Sequence, residues 1–284
     1  MAQARRPAPR GGRAARSGRR SRGSDLGARV AIAIPAAIVA VVFVDLGGLP
    51  WALLMIALGL VCMHELYTML ARWRPIPIVG FAALAAMVLA ARYAGQFQVV
   101  LAAVATIPVL FLLVVASRPK GATVAIAGTL LGVYWIGFAF AHAELLRQVR
   151  HGNGILIDVL VGTFLGDTAA YIGGRWFGRR LLAVSISPNK TVEGLFCGMF
   201  VAVLAVFFTG LYQPWLTQGH ALLLGLGVAV LGPLGDLFES LVKRDAGAKD
   251  AGTLFGAHGG ALDRLDSALF TVVTSYYIWV AVMH

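Results

Sequence analysis

The sequence predicts an all-α, polytopic membrane protein with about nine transmembrane helices. Three observations carry this. Of its 284 residues, 59% are hydrophobic and 13% charged, about half the charged share of an ordinary soluble domain. The apolar residues fall into runs of about the 20 residues that a helix needs to cross a hydrocarbon core. The basic residues between the runs are crowded into alternate loops, as the positive-inside rule requires.

The runs, in order, are 30–45, 51–70, 78–94, 98–117, 123–142, 155–174, 192–213, 220–239 and 265–283. The first is short and contains Pro35. No small-x-small cleavage pattern separates it from the second, so it reads as a retained helix and not as a signal peptide. Before it lies residues 1–28, expected to be a disordered, Arg-rich cytosolic tail; residues 29–284 form the transmembrane domain. The formal charge is +11, and nine Arg against one Asp in residues 1–30 account for +8 of it. The high pI therefore belongs to the tail. A basic arm suits nucleic acid, but a basic flank before a first span is what topology and anionic lipid already demand, and no nucleic-acid partner is expected. Cys62 and Cys197 each sit inside an apolar run. They read as small buried side chains, not as a disulfide or a thiolate metal site.

The loops fix the orientation. Arg72 and Arg74; Arg118 and Lys120; Arg175, Arg179, Arg180 and Lys190; and Lys243, Arg244, Lys249 and Arg264 all fall on the side of the tail. Residues 46–50 and 214–219 on the other side carry no Lys or Arg, and 143–153, with Arg147 and Arg150, is the exception. Nine spans with a cytosolic N-terminus fit this pattern best. No fixed-length repeat and no inverted pair of broken helices stands out, which weighs against a secondary transporter.

The chemistry is concentrated in the second half. Asp236, Glu239, Asp245, Asp250, Asp263 and Asp266 lie within 31 residues, interleaved with Lys243, Arg244, Lys249 and Arg264. A charge at the bilayer centre costs roughly 2.5–3.5 kcal/mol on insertion scales. So dense a cluster belongs at the interface or in a polar cavity, compensated internally or by a bound ion. Asp236, Glu239, Ser240 and Lys243 are spaced i, i+3, i+4 and i+7, and share one face at the end of the eighth helix. Asp263 and Asp266 share a face at the start of the ninth. Carboxylates on two helix ends make an oxygen cage for a hard cation such as Mg²⁺, which takes one or two carboxylates plus waters and substrate phosphates. Gly256, Gly259 and Gly260 let backbone approach a ligand closely. The chain uses Arg 20 times and Lys four times, yet three of the four lysines, Lys190, Lys243 and Lys249, fall in 185–194 and 236–266. A compact point cation suits phosphate.

At fixed spacing, Ser240, Lys243-Arg244, Lys249-Asp250, Gly252, Phe255-Gly256, His258-Gly259-Gly260 and Asp263-Arg264-Leu265-Asp266 resemble the signature of the bacterial-type phosphatidate cytidylyltransferases. Ala261 departs from it, standing where the signature has a larger aliphatic residue. Two further segments are similar to the same family: Gly166-Asp167-Thr168 with Tyr171, Gly174, Arg175 and Gly178, and Ser187-Pro188-Asn189-Lys190-Thr191 followed by Glu193-Gly194. The likeness is specific from about residue 166 onward.

The resemblance implies a bundle around a cytosol-facing polar cavity, in a bacterial inner membrane. It implies the reaction of CTP with phosphatidic acid to give CDP-diacylglycerol and pyrophosphate. It also implies Mg²⁺, a second, monovalent ion, membrane lipid as partner and a homodimer. Asp236 and Asp263 are then the expected metal ligands, with Asp250 a third candidate. Asp266 either backs them or pairs with Arg264 or Lys243. Lys243, Arg244, Lys249 and Arg264 are expected to hold the phosphates of CTP and lipid. Asp167, Ser187, Asn189, Lys190, Thr191, Ser240, His258, Gly259 and Gly260 are expected around the substrates. Ordinary helix capping accounts for Thr191 as well, though not for Lys190. His64 and Glu65, in the second span, have no partners at metal spacing and read as a buried polar pair or interface residues.

Two other functions compete. A CTP-dependent lipid kinase would share CTP and Mg²⁺ but would need a base for its alcohol. A transporter would place its acidic pairs at mid-membrane. A cysteine replacing Asp250 should react with a membrane-impermeant maleimide in inside-out vesicles and not in intact cells; labelling from outside would overturn the orientation.

Overall fold

Nine helices run through the residues that the computed structural model describes, 35, 37–117, 121–252 and 259–283. They are α1 (Ala37–Leu46), α2 (Gly48–Met69), α3 (Pro77–Tyr93), α4 (Gln96–Ser117) and α5 (Ala122–Gln148), then α6 (Gly152–Phe177), α7 (Val192–Gly210), α8 (Gln218–Ala246) and α9 (Leu262–Met283). Seven are long and apolar enough to cross a membrane, and α1 and α3 are shorter. Each of the nine runs in the sequence thus corresponds to a helix. The tail at 1–28, Arg118, Lys120, Phe255, Gly256 and His258 lie outside the described residues. Met1–Val39 is a unit of its own, and the packed body is Ala40–His284.

Within that body α6 lies along α7, and α8 packs against both α7 and α9. On the other side α2, α3 and the second half of α5 form a second group, to which α9 is joined through α5 and α2. The outward faces carry apolar side chains suited to lipid, as in the exposed Phe97, Leu101, Phe111 and Leu112 of α4. Between α6 and α7 the chain adds a small antiparallel hairpin, β1 (Leu181–Ala183) and β2 (Ser187–Thr191), in the register Leu181 to Thr191 and Ala183 to Ser187. The sequence reading assigned no strand there.

Helix ends differ from the hydropathy boundaries where charge begins. The eighth run ends at 239, but α8 continues to Ala246. Leu241, Lys243, Arg244 and Ala246 are good helix formers, and the stop comes at Gly247, whose φ of 74° supplies the left-handed cap. Its 29 residues span about 43 Å at 1.5 Å each, more than the ~30 Å hydrocarbon core. The last turns of α8 can therefore stand in water while the helix remains continuous.

The α6–α7 contact is backbone against backbone. A Cβ at Gly194 would stand 2.7 Å from the Ala170 carbonyl, and one at Gly198 2.7 Å from the Ala170 Cβ. Gly173 faces Cys197, where an added Cβ would lie 2.5 Å from the Cys197 Cβ. Small residues are what allow two membrane helices to approach this closely. Both cysteines are unpaired, with Cys62 buried and Cys197 half-buried.

The exceptional basic loop has a structural occupation. Arg147 donates from Nε to the Val44 carbonyl at 2.5 Å and from Nη2 to the Asp45 carbonyl at 3.2 Å. It therefore satisfies carbonyls at the end of α1 that have no intrahelical partner. Gly47, at φ 56°, leaves room for the guanidinium, which a Cβ would meet at 2.5 Å.

Replacing Gly198 by Val should force α6 and α7 apart and destabilise the protein by about 1–3 kcal/mol, the usual range for overpacking. Thermal unfolding in detergent checks this; an unchanged midpoint would mean that the two helices do not meet there.

Candidate active site

The helical face predicted for α8 is formed, and it turns toward the start of α9. Asp236 is half-buried, while Glu239, Ser240 and Asp266 are buried. One carboxylate oxygen each of Asp236, Glu239 and Asp266 lie within 4.8 Å of one another. Three carboxylates this close repel unless a counter-charge lies among them. Two lysines supply part of it. Lys243 Nζ stands 2.6 Å from Glu239 Oε2 and 2.8 Å from Asp263 Oδ1, so it ties α8 to α9. Lys190, on β2, reaches Asp236 Oδ2 at 2.5 Å and brings the hairpin to the same place.

Around this centre the neighbouring elements are fastened one by one. Arg244 Nε donates to the Ile186 carbonyl of the hairpin at 3.2 Å. Arg72, just beyond α2, pairs with the Asp245 carboxylate at 3.5 Å and also donates to the Asp245 carbonyl. Ser267 Oγ donates to Asp167 Oδ1 of α6 at 3.4 Å. Glu193 accepts from the backbone N–H groups of Arg179 and Arg180 at 3.0 and 3.1 Å, which shapes the turn after α6. The ends of α2, α6, α8 and the starts of α7 and α9 thus meet at one end of the bundle. The signs agree with the helix dipoles, since Lys243 and Arg244 close a C-terminus and Asp263 opens an N-terminus.

The predicted residues divide accordingly. Asp167, Lys190, Asp236, Lys243, Asp263 and Asp266 are joined through these contacts, together with Glu239, which the sequence placed on the right face without a role as ligand. Asp263 faces the centre, but its oxygens are engaged: Oδ1 by Lys243 Nζ, Oδ2 by the Gly260 N–H at 2.7 Å, and both by the Ala251 N–H at 3.1 and 3.0 Å. The trio with mutual ligand distances is instead Asp236, Glu239 and Asp266, and Asp250 is exposed outside it. Arg244, Lys249, Arg264 and Asn189 are exposed, and Ser187 is half-buried. Thr191 caps α7, its Oγ1 accepting from the Gly194 N–H at 3.2 Å.

The glycines of the signature make room for carboxylates of the protein itself. Gly259 has φ 83°, and a Cβ there would stand 2.8 Å from Asp263 Oδ2. A Cβ at Gly260 or Gly252 would run into Glu65. Glu65 and His64, grouped by the sequence, part company: Glu65 is buried against the start of α9, and His64 is exposed. Glu65 is the participant that sequence reasoning missed. An acidic residue inside a span was a signal in itself, but nothing in the local spacing pointed to a partner nearly 200 residues away.

The donor set fits a hard divalent cation. All three groups offer carboxylate oxygens, as Mg²⁺ prefers, and the buried Oε1 of Glu239 has no hydrogen-bond partner. A buried polar atom left without a partner calls for an explanation, and a cation among the three carboxylates supplies one.

The fold and this centre define a class: a multi-pass membrane protein whose ionisable side chains are drawn together at one end of the bundle. The cytidylyltransferase family model matches residues 27–282, and the chain belongs to that family. It is 33% identical over 263 residues to the phosphatidate cytidylyltransferase of Bacillus subtilis, covering 89% of this chain and 97% of that protein. It is 31% identical over 253 residues to the phosphatidate cytidylyltransferase of Staphylococcus aureus strain COL, covering 86% and 95%. It is 34% identical over 169 residues to the uncharacterized protein YnbB of Escherichia coli K12, covering 58% of this chain and 57% of that protein.

Replacing Lys243 by Met should cost roughly 3 kcal/mol of stability, the scale for removing one partner of a buried pair. Arg244→Met, at an exposed site, should cost far less. Denaturation of the two variants in detergent compares them directly.

Proposed function

We infer that this chain transfers the cytidylyl group of CTP to phosphatidic acid, giving CDP-diacylglycerol and pyrophosphate for phospholipid synthesis. The observation that carries the reading is the carboxylate trio of α8 and α9 beside Lys190 and Lys243, within a chain of the cytidylyltransferase family. The reading extends to a bacterial inner membrane with a cytosolic N-terminus, supported by the loop charges. A homodimer and a second, monovalent ion follow from the family resemblance alone.

In this reaction an oxygen of the lipid phosphate monoester attacks the α-phosphorus of CTP, and the bond to the β-phosphate oxygen breaks as pyrophosphate leaves. The monoester is largely ionised near neutral pH, with a second pKa of about 6, so the site needs little from a general base. Positioning and charge neutralisation do most of the work. Asp236, Glu239 and Asp266 are the residues that would hold Mg²⁺, which would supply Lewis-acid neutralisation of phosphate charge.

The protein's own residues do the rest. Lys243 holds Glu239 and Asp263 in place, so the carboxylates face the substrate in a fixed arrangement. Lys190 holds Asp236 and carries the Ser187–Thr191 strand, with Asn189, to the edge of the centre. Arg244, Lys249 and Arg264, all exposed, meet the phosphates of CTP and lipid. A centre at the water-facing end of a long α8 serves both substrates, since CTP arrives from water and phosphatidic acid from the leaflet.

The purified protein with CTP, phosphatidic acid and Mg²⁺ should release pyrophosphate and form CDP-lipid, and EDTA should abolish both. Products identified as CDP and a phosphorylated lipid would overturn the reading in favour of a kinase. Asp236→Asn should lower kcat/KM by about a hundredfold, in line with the several kcal/mol such ions supply; near-normal turnover would remove Asp236 from the metal set.

A further inference from the structure

Glu65 stands in α2, apart from every other group at the centre, yet it is buried at 7% exposure. Its Oε1 accepts from the Ala261 N–H at 3.1 Å, and its Oε2 from the Leu262 N–H at 2.9 Å. These amides begin α9, where a helix has donors without intrahelical partners. A carboxylate satisfies them with charge-assisted bonds and complements the positive end of the helix. Gly252 and Gly260 close over it so tightly that a Cβ on either would collide with the carboxylate.

Asp263 grips the same stretch of chain through other amides. It accepts from the Ala251 and Gly260 N–H groups, while Glu65 accepts from those of Ala261 and Leu262. Two carboxylates, one from α2 and one from α9, therefore take four amides between them, three at the entry to α9 and one at Ala251. Both oxygens of Glu65 are taken by backbone, so Glu65 is not placed to bind a cation or substrate itself. What it fixes is the height and direction of the first turn of α9, which carries Asp263 and leads into Asp266.

We propose that Glu65 is a positioning residue for the cation centre: from α2 it clamps the start of α9, and so sets the spacing of Asp266 and Asp263 against Asp236 and Glu239 on α8. The link to catalysis rests on the cytidylyltransferase reading, whereas the clamp does not. A cap that served stability alone would leave cation affinity unchanged; a positioning residue does not.

The test uses the full chain in detergent, with Mn²⁺ as the probe and its binding followed by loss of the free-ion paramagnetic signal. Glu65→Ala should weaken Mn²⁺ binding by about tenfold, the lower end of what supporting partners of metal ligands contribute. Amide exchange over 260–262 should rise by about tenfold on loss of the cap. Glu65→Gln, which keeps the shape and one good acceptor, should recover part of both and covers the case in which the alanine variant fails to fold. Gly260→Ala should mimic the loss in the parent protein but add little in the Glu65→Ala background, where the space has been vacated. Unchanged exchange in both Glu65 variants would overturn the clamp, and raised exchange with parental Mn²⁺ affinity would reduce Glu65 to a structural cap. Failure of the CTP assay in the parent would remove the enzymatic reading and leave these two measurements intact as the test of Glu65.

Discussion

The ammonium group of Lys243 is the interaction on which the functional end depends. It lies 2.6 Å from a carboxylate of its own helix and 2.8 Å from one on α9. A lipid-facing bundle tolerates ionisable groups only when they are paired or hydrated, and this lysine joins two helices while meeting that demand. Asp236 collects beside it because α8 presents it one turn before Glu239, and Asp266 because α9 presents it one turn after Asp263. The hairpin and α6 are held to the same place by Lys190 and by Ser267.

Much of the architecture was legible because a bilayer imposes few solutions on a backbone. Nine apolar runs gave nine helices among the described residues, and the i, i+3, i+4, i+7 spacing from Asp236 to Lys243 gave the correct face. The charged face also explains why hydropathy misplaced the end of α8: the helix continues after the apolar run has stopped, until Gly247 provides a left-handed residue. The hairpin was missed because its strands are only three and five residues long, too short for an alternating pattern to register.

The centre was legible in membership and less so in partnership. Spacing along one helix identifies which groups share a face, but not which of them a distant helix will occupy. Asp263 looked available, yet the Ala251 and Gly260 amides and Lys243 engage it. Glu239 and Asp266 looked auxiliary, yet they complete the trio with Asp236. Glu65 was legible as a buried polar residue, but its partners were not, since Ala261 and Leu262 offer only main-chain amides, and a main-chain donor leaves no mark in a sequence.

The glycine-lined seam between α6 and α7 has a mechanical corollary. With Gly194 and Gly198 seated on the main chain and methyl of Ala170, the two helices meet there without a long side chain between them. Backbone packed on backbone resists separation more than long, deformable side chains do, so room for a two-tailed amphiphile is more readily made at the other seams of the bundle.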